Sequence, residues 1–356
     1  MDGSKQALCN NARGWSPYES INPIYPKHRA PGRLVSTHNG VQAFFLNNDC
    51  IILLPRDTRD PTASKATACE VDGVTGRLTH LACSTAGVCS AAFRPLNDKP
   101  VSILMYNSLQ EVLNSLGNYD PYHSPTSRNV MPQPVRKFRL VHPGAEPFAA
   151  VQSLVATKTA FAALVRRDPW TAVYTWGDVR FRHVFGRSSQ EYSAVVQDLV
   201  GLTIKEITSG GDMIAALTDA GDAFIWGSHD LEDYGHRTNG SGSVALDAVL
   251  GNNEIGEHIA KISIIPNTAD HEIEDIAIGN RHVIVLDSNG LVWVCGSNGG
   301  YQLGLVGQAA YRAVNHWEQV KQFTQMPVNG SRSVKCKRVY AGPSSSFVVV
   351  ERTSRT

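Results

Sequence analysis

A pattern of 25 residues recurs in the second half of the chain, displaced by 69 residues and aligned without a gap. IKEITSGGDMIAALTDAGDAFIWGS (204–228) superposes on IEDIAIGNRHVIVLDSNGLVWVCGS (273–297). Ile204 falls on Ile273, Ile207 on Ile276, Gly210 on Gly279, Leu217 on Leu286, Gly221 on Gly290, Phe224 on Trp293 and Gly227 on Gly296. A repeat at this spacing marks a chain built from stacked copies of one small unit. Each copy reads as a strand, a Gly-containing turn, an apolar strand, a second turn at Ala-Gly or Asn-Gly, and an apolar or aromatic strand that ends at Gly. Asn-Gly and Ala-Gly between apolar runs are hairpin signals, so the unit is an antiparallel meander. The runs IAAL and VIVL are apolar throughout, as expected of an inner strand covered on both faces.

Weaker copies extend the pattern in both directions. VQSLVATKTAFAAL (151–164) with AVYTWGD (172–178) places Thr157 at the first Gly position and lengthens the hairpin by three residues. LTHLACSTAGVCSAA (78–92) with SILMYNS places Ser84 and Asn107 at the two Gly positions, and RLVSTHNGVQAFFLNNDCIILLP (33–55) places His38 and Pro55 there. CKRVYAGPSSSFVVV (336–350) supplies only the first half of a unit before the chain ends. The missing half is found at the other terminus, where Asn11 and Gly14 in ALCNNARGW reproduce an Asn-x-x-Gly spacing. The reading is therefore all-β: one closed β-propeller of four-stranded blades over residues 1–356, whose N-terminal strand closes the last blade and so removes the open sheet edges. The first-turn positions 38, 84, 157, 210, 279 and 342 count six units with a mean spacing of about 61. Loop insertions are placed near 109–150 and 228–272.

The segment IGNRHVIVLDSNG (278–290) followed by WVCGSNGGYQLG (293–304) resembles the repeat of the regulator-of-chromosome-condensation propellers. Gly279, His282, Gly290, Gly296, Asn298, Gln302, Leu303 and Gly304 fit that repeat, Cys295 stands in place of its Trp, and Tyr301 in place of a Gly. Trp176-Gly177 and Trp226-Gly227 fit its Trp-Gly core. The resemblance is specific from about residue 150 onward and implies seven blades rather than the six counted. In that repeat the glycines are expected to supply positive φ at turns, His282 and Asn298 to bond turn backbone, and Trp to fill the space between blades.

Composition narrows the function. With 33 Lys+Arg against 32 Asp+Glu in 356 residues, the net charge of +1 supplies no overall field for holding nucleic acid. No run of about 18 apolar residues occurs, and the N-terminal stretch lacks the features of a secretory signal, so no membrane contact and a cytoplasmic or nuclear location are expected. Seven cysteines without a Cys-x-x-Cys read as reduced core thiols rather than a metal site, Cys83 and Cys89 included. The sequons at Asn239 and Asn329 then carry little weight. His-Glu-x-x-His, Gly-x-Ser-x-Gly, the phosphate-binding Gly-x-x-x-x-Gly-Lys and Gly-x-Gly-x-x-Gly are all missing. No catalytic residue, cofactor or metal is assigned, and the protein is read as a non-enzyme.

Charge is distributed unevenly. Residues 228–275 hold ten acids, among them Asp230, Glu232 and Asp233, against Arg237 and Lys261, a net of −8. Residues 321–356 hold seven bases against Glu351, a net of +6. Such asymmetry steers a partner by complementary potential. Where the family carries Asn-x-x-Gly-Gln-Leu-Gly after Trp-Gly, this chain has RFRHVFGR (180–187), a basic loop interleaved with aromatics. Arg180, Phe181 and Arg182, with Asp230, Glu232 and Asp233, are the candidate partner-binding residues. The resemblance, which extends to small propellers of the α-tubulin suppressor type, implies a monomeric ring serving as a subunit or regulator of a hetero-complex. It equally brings guanine-nucleotide exchange on a small GTPase as the alternative, with chromatin binding third.

Overall fold

The computed structural model describes residues 5–11, 14–17, 33–36, 43–46, 50–53, 67–70, 72–73, 76–94, 101–116, 133–140, 150–167, 170–228, 260–261, 272–305, 313–321, 323 and 333–353, with backbone alone before residue 76. Among them the strands form six antiparallel sheets. β1 (Lys5–Asn11) and β2 (Gly14–Pro17) open the chain and join a sheet completed at its other end. The next sheet holds β3 (Arg33–Ser36), β4 (Ala43–Leu46), β5 (Cys50–Leu53) and β6 (Thr67–Glu70) in sequence order. It is followed by β7 (Asp72–Gly73), β8 (Gly76–Cys83), β9 (Cys89–Arg94), β10 (Ser102–Tyr106) and β11 (Arg136–Phe138). Then come β12 (Val151–Ala156), β13 (Ala160–Arg167), β14 (Trp170–Gly177) and β15 (Ala194–Val195). The two best-matched units give β16 (Ile204–Gly210), β17 (Asp212–Thr218), β18 (Ala223–Ser228) and β19 (Ala260–Lys261), and β20 (Ile273–Ile278), β21 (His282–Asp287), β22 (Val292–Gly296) and β23 (Val314–Gln319). Last are β24 (Ser333–Gly342) and β25 (Ser345–Thr353), and β1 pairs with β25 in the register Lys5↔Glu351 to Cys9↔Phe347. The N-terminal strands thus complete the sheet that the C-terminal half-unit begins. Six sheets match the six countable units; a seventh is not found among the described residues.

The chain divides into two compact units. One comprises Met1–Pro23, Arg182–Ser188 and Leu202–Thr356; the other comprises Ile24–Phe181 and Ser189–Gly201. Within each, neighbouring sheets bury side chains against one another. In the second unit Phe161, Ala163, Tyr174 and Trp176 meet Ile103, Met105 and Ala92 from the preceding sheet. Trp176 is fully buried, stacked on Phe161 at 6.0 Å and edge-on to Phe138 at 5.3 Å, the blade-filling part expected of the repeat Trp. In the first unit β17 and β21 are buried almost end to end, as the apolar runs IAAL and VIVL required.

In five sheets the strand that leads into the first turn of the repeat (β8, β12, β16, β20 and β24) carries the same irregularity, which the sequence reading does not anticipate. Its register slips between Leu78 and His80, Val151 and Ser153, Ile204 and Glu206, Ile273 and Asp275, and Cys336 and Arg338. Each slip is a β-bulge, where one extra residue breaks the ladder and leaves polar groups to be met from outside the sheet. Adjacent sheets meet them. The Lys205 ammonium donates to the Glu274 carbonyl at 3.2 Å, and the Asp275 carboxylate accepts from the Val339 amide at 2.9 Å.

Two further expectations need correction. Cys83 and Cys89 are not reduced core thiols: they stand opposite each other across the β8–β9 hairpin and form a disulfide. Directly opposed antiparallel residues bring their Cα atoms close, here 4.1 Å, and a spacing of six residues across a tight turn delivers that register. Cys295 and Cys336 are free and buried as expected. The 109–150 insertion is not loop throughout: it holds α1 (Leu109–Ser115), capped by the Ser108 hydroxyl accepting from the Glu111 amide at 3.2 Å, with the Glu111 carboxylate accepting from the Asn107 amide.

Candidate partner-binding site

The loop after β14 begins with an Asx-type turn. The Asp178 carboxylate accepts from the Arg180 amide at 3.0 Å and from its guanidinium Nε at 3.0 Å. This pairing holds the Asp178 carboxyl below the usual carboxylate range. The Arg180 side chain is 80% exposed, so the pair orients the guanidinium and adds little stability. A 3-10 segment, Val179–Phe185, is interrupted at Phe181 (φ −114°, ψ 48°), and the Phe181 ring is left exposed with the Arg180 Cζ 5.8 Å from its centroid. Arg182 is exposed as well.

The second half of the loop is packing. Val184 and Phe185 are buried, and Arg187, grouped with the exposed basic residues by sequence, is only 6% exposed and lies over the Phe185 ring at 5.1 Å. Gly186 adopts φ 63° and lies against the Trp226 indole, where a Cβ would come within 2.6 Å of the ring. Its counterpart Gly304 has φ 64°, and Leu303, buried like Phe185, precedes it. The apparent departure from Gly-Gln-Leu-Gly therefore keeps the end of the family turn, Phe185-Gly186 for Leu303-Gly304, while Val184 takes the place of Gln302 and Arg180 to His183 replace what precedes it. Asp230, Glu232 and Asp233 lie outside the described residues.

Beside this loop, within the Ile24–Phe181 and Ser189–Gly201 unit, is a half-open cavity of about 320 Å³. Asp178 and Val179 form one side, the hairpin tips at Ser84–Val88 and Lys158–Thr159 form others, and Met105 and Phe161 are apolar lining. Arg136 and Tyr192 complete it, with the Arg136 Cζ 4.1 Å above the Tyr192 ring. The Tyr192 hydroxyl lies 2.8 Å from the Met105 sulfur, Phe138 packs edge-on at 5.6 Å, and burial is the main cause of a raised Tyr192 pKa. None of Arg136, Lys158 and Tyr192 was singled out from the sequence. The only signal was positional, since Lys158 follows Thr157 in the same turn as Ser84 in the preceding unit.

His282 serves packing. It is fully buried, its Nε2 lies 3.0 Å from the Ser346 hydroxyl of the adjoining sheet, and burial lowers its pKa to about 4. It joins two sheets instead of bonding its own turn. Asn298 does bond its turn, accepting from the Leu303 amide at 2.8 Å. Among the described residues no cluster of three or more His, Cys, Asp or Glu is placed to hold a metal, and no helix is long and apolar enough to cross a membrane.

Sheets of antiparallel meanders, the terminal strands sharing one sheet, and the Gly-His-Gly-Asn turn set define an RCC1-like β-propeller. Residues 273–302 match the regulator of chromosome condensation (RCC1) repeat. Human WBSCR16 shares the fold with a TM-score of 0.54 at 13% identity, over 96% of this chain and 76% of that one. Prp20p from Saccharomyces cerevisiae, described with its binding to Gsp1p and histones, gives 0.54 at 15% identity over 90% and 69%. The yeast RCC1 (Prp20) bound to Kap60 gives 0.56 at 14% identity over 95% and 71%. At these identities the likeness is one of fold.

Proposed function

We propose that the chain is a single-domain, non-catalytic propeller scaffold of the cytoplasm or nucleus that binds a protein partner as a subunit or regulator of a complex. The observation that carries this reading is the exposed Arg180–Phe181 pair, fixed by Asp178 at the start of a loop whose second half, Val184 to Arg187, is packed. A preoriented Arg beside an exposed aromatic ring has the composition of an interface anchor, and a fixed side chain loses little freedom on binding. Arg182, next in the chain, adds a second exposed cation.

The test is capture of native partners on the full-length chain and on an Arg180→Glu, Arg182→Glu variant. Specific partners should fall at least tenfold with the variant while its thermal unfolding stays within a few degrees. Undiminished capture removes this loop from the interface. Acceleration of nucleotide release from a purified small GTPase by the full-length chain would replace the scaffold reading with exchange activity.

A further inference from the structure

Resting on that reading, we infer that the cavity beside the Arg180 loop is a recognition pocket for an acidic, aromatic-bearing segment of a partner protein. Its lining pairs two cations, Arg136 and Lys158, with one carboxylate, Asp178, and that carboxylate is already engaged by Arg180. Positive charge is therefore in excess around an apolar interior, and Arg guanidinium groups match carboxylates in geometry as well as in sign. The interior is made of buried Phe161 and Met105 with the Tyr192 ring, surfaces that suit an inserted aromatic or aliphatic side chain. A volume of about 320 Å³ corresponds to roughly ten water molecules and lies at the small end of ligand clefts, the scale of one or two side chains.

The segments around the lining residues carry the same message. Val135, Val179 and Phe181 are exposed at 56%, 48% and 37%. Val179 lines the cavity, Phe181 follows Arg180, and Val135 precedes Arg136 and is tied by its amide to the carbonyl of Met105 at 2.7 Å. Scattered exposed apolar residues mean little, but Val179 lines the concavity itself, and Val135 and Phe181 each adjoin a cation in the chain, so apolar and cationic groups alternate in the segments that lead into it. The walls are fixed before binding: the Cys83–Cys89 disulfide closes the Ser84–Val88 hairpin, and the Arg136–Tyr192 stack holds the guanidinium over the ring.

The probe is a capped, fluorescein-labelled hexapeptide alternating glutamate with phenylalanine, titrated against the full-length chain by fluorescence anisotropy. Saturable binding, weakened at least tenfold by Arg136→Glu and by Ala86→Trp at the exposed hairpin tip, and absent for the lysine-for-glutamate peptide, supports the pocket. Both variants must keep the thermal midpoint of the unaltered chain; Arg136→Gln, a milder change, serves if Arg136→Glu does not fold. No binding of the acidic peptide, equal binding of the lysine peptide, or tighter binding of a labelled hexathymidylate overturns it. If native partners are lost with Arg180→Glu, Arg182→Glu yet retained with both pocket variants, the pocket inference fails while the scaffold reading stands. If neither set changes capture, both fail.

Discussion

The His282 imidazole occupies the volume that a side chain on Gly279 would fill: a Cβ there would collide with Nδ1 and Cε1 of the ring and come within 2.7 Å of the Gly342 carbonyl oxygen. Gly279 has no positive φ, so this glycine of the repeat is required by close approach and not by turn conformation, contrary to the sequence expectation. Gly210 meets the same constraint one unit earlier, where its Cβ would strike the Ile278 carbonyl.

Gly279→Ala should therefore cost about 1–3 kcal/mol, the range of overpacking, and towards its upper end because the groups it meets cannot retreat. The ring is pinned by Ser346 and the carbonyl belongs to the backbone of a neighbouring strand. Combining it with His282→Ala should give a total smaller than the sum of the single losses, because the alanine removes one of the two obstacles. Urea midpoints of the four proteins measure this, and strict additivity would refute the packing account.

Much of the fold is legible in the sequence because the repeat is written in glycines and apolar alternation. Gly221, Gly227, Gly290 and Gly296 do take positive φ, and the Asn-x-x-Gly half-unit does complete the C-terminal sheet. The polar bulge residues escape because Glu206, Asp275 and Arg338 look like ordinary solvent-facing strand positions, and only the neighbouring sheet makes them partners. The pocket escapes for the same reason: Arg136, Lys158 and Tyr192 come from segments 22 and 34 positions apart that no local pattern connects. The Arg180 loop was legible as far as its departure from the repeat; that Phe185 and Gly186 restore the family turn depends on backbone angles.

Tyr301 stands where the family has glycine, and its φ of 61° places a side-chain-bearing residue in the left-handed region. That conformation costs about 1–2 kcal/mol for an L-residue, and glycine returns roughly half through the freedom it adds to the unfolded chain. Tyr301→Gly should stabilise the protein by about 0.5–1 kcal/mol in denaturant melts. A loss of stability would mean that the Tyr301 ring contributes contacts worth more than the strain.

The Cys83–Cys89 disulfide closes a loop of only six positions, so its removal by Cys83→Ser with Cys89→Ser should lower stability by about 2 kcal/mol. Alkylation of the unfolded, unreduced chain followed by peptide mapping should label Cys295 and Cys336 and leave Cys83 and Cys89 unlabelled. Labelling of all four would show the hairpin pair reduced.

Asp275 and His282 should drive stability in opposite directions over the same acid range. Burial raises the Asp275 pKa from 3.8 to about 6, against the lowering influence of the Val339 amide and Arg338 and with Glu206 adding to the rise. The folded state therefore holds that proton more tightly than the unfolded chain. The contribution is complete below about 4 and is lost as pH rises through 6. Burial lowers His282 from 6.5 to about 4, so its contribution is complete above 6.5 and is lost as pH falls toward 4. Each shift corresponds to about 3 kcal/mol, and in the unaltered protein the two largely cancel. Asp275→Asn should expose the histidine, making stability fall by about 2 kcal/mol more than in the parent between pH 7 and 4.5, and His282→Gln should expose the aspartate, tilting the profile the other way. Urea midpoints at the two pH values decide it, and profiles parallel to the parent in both variants would show that neither group titrates as its burial demands.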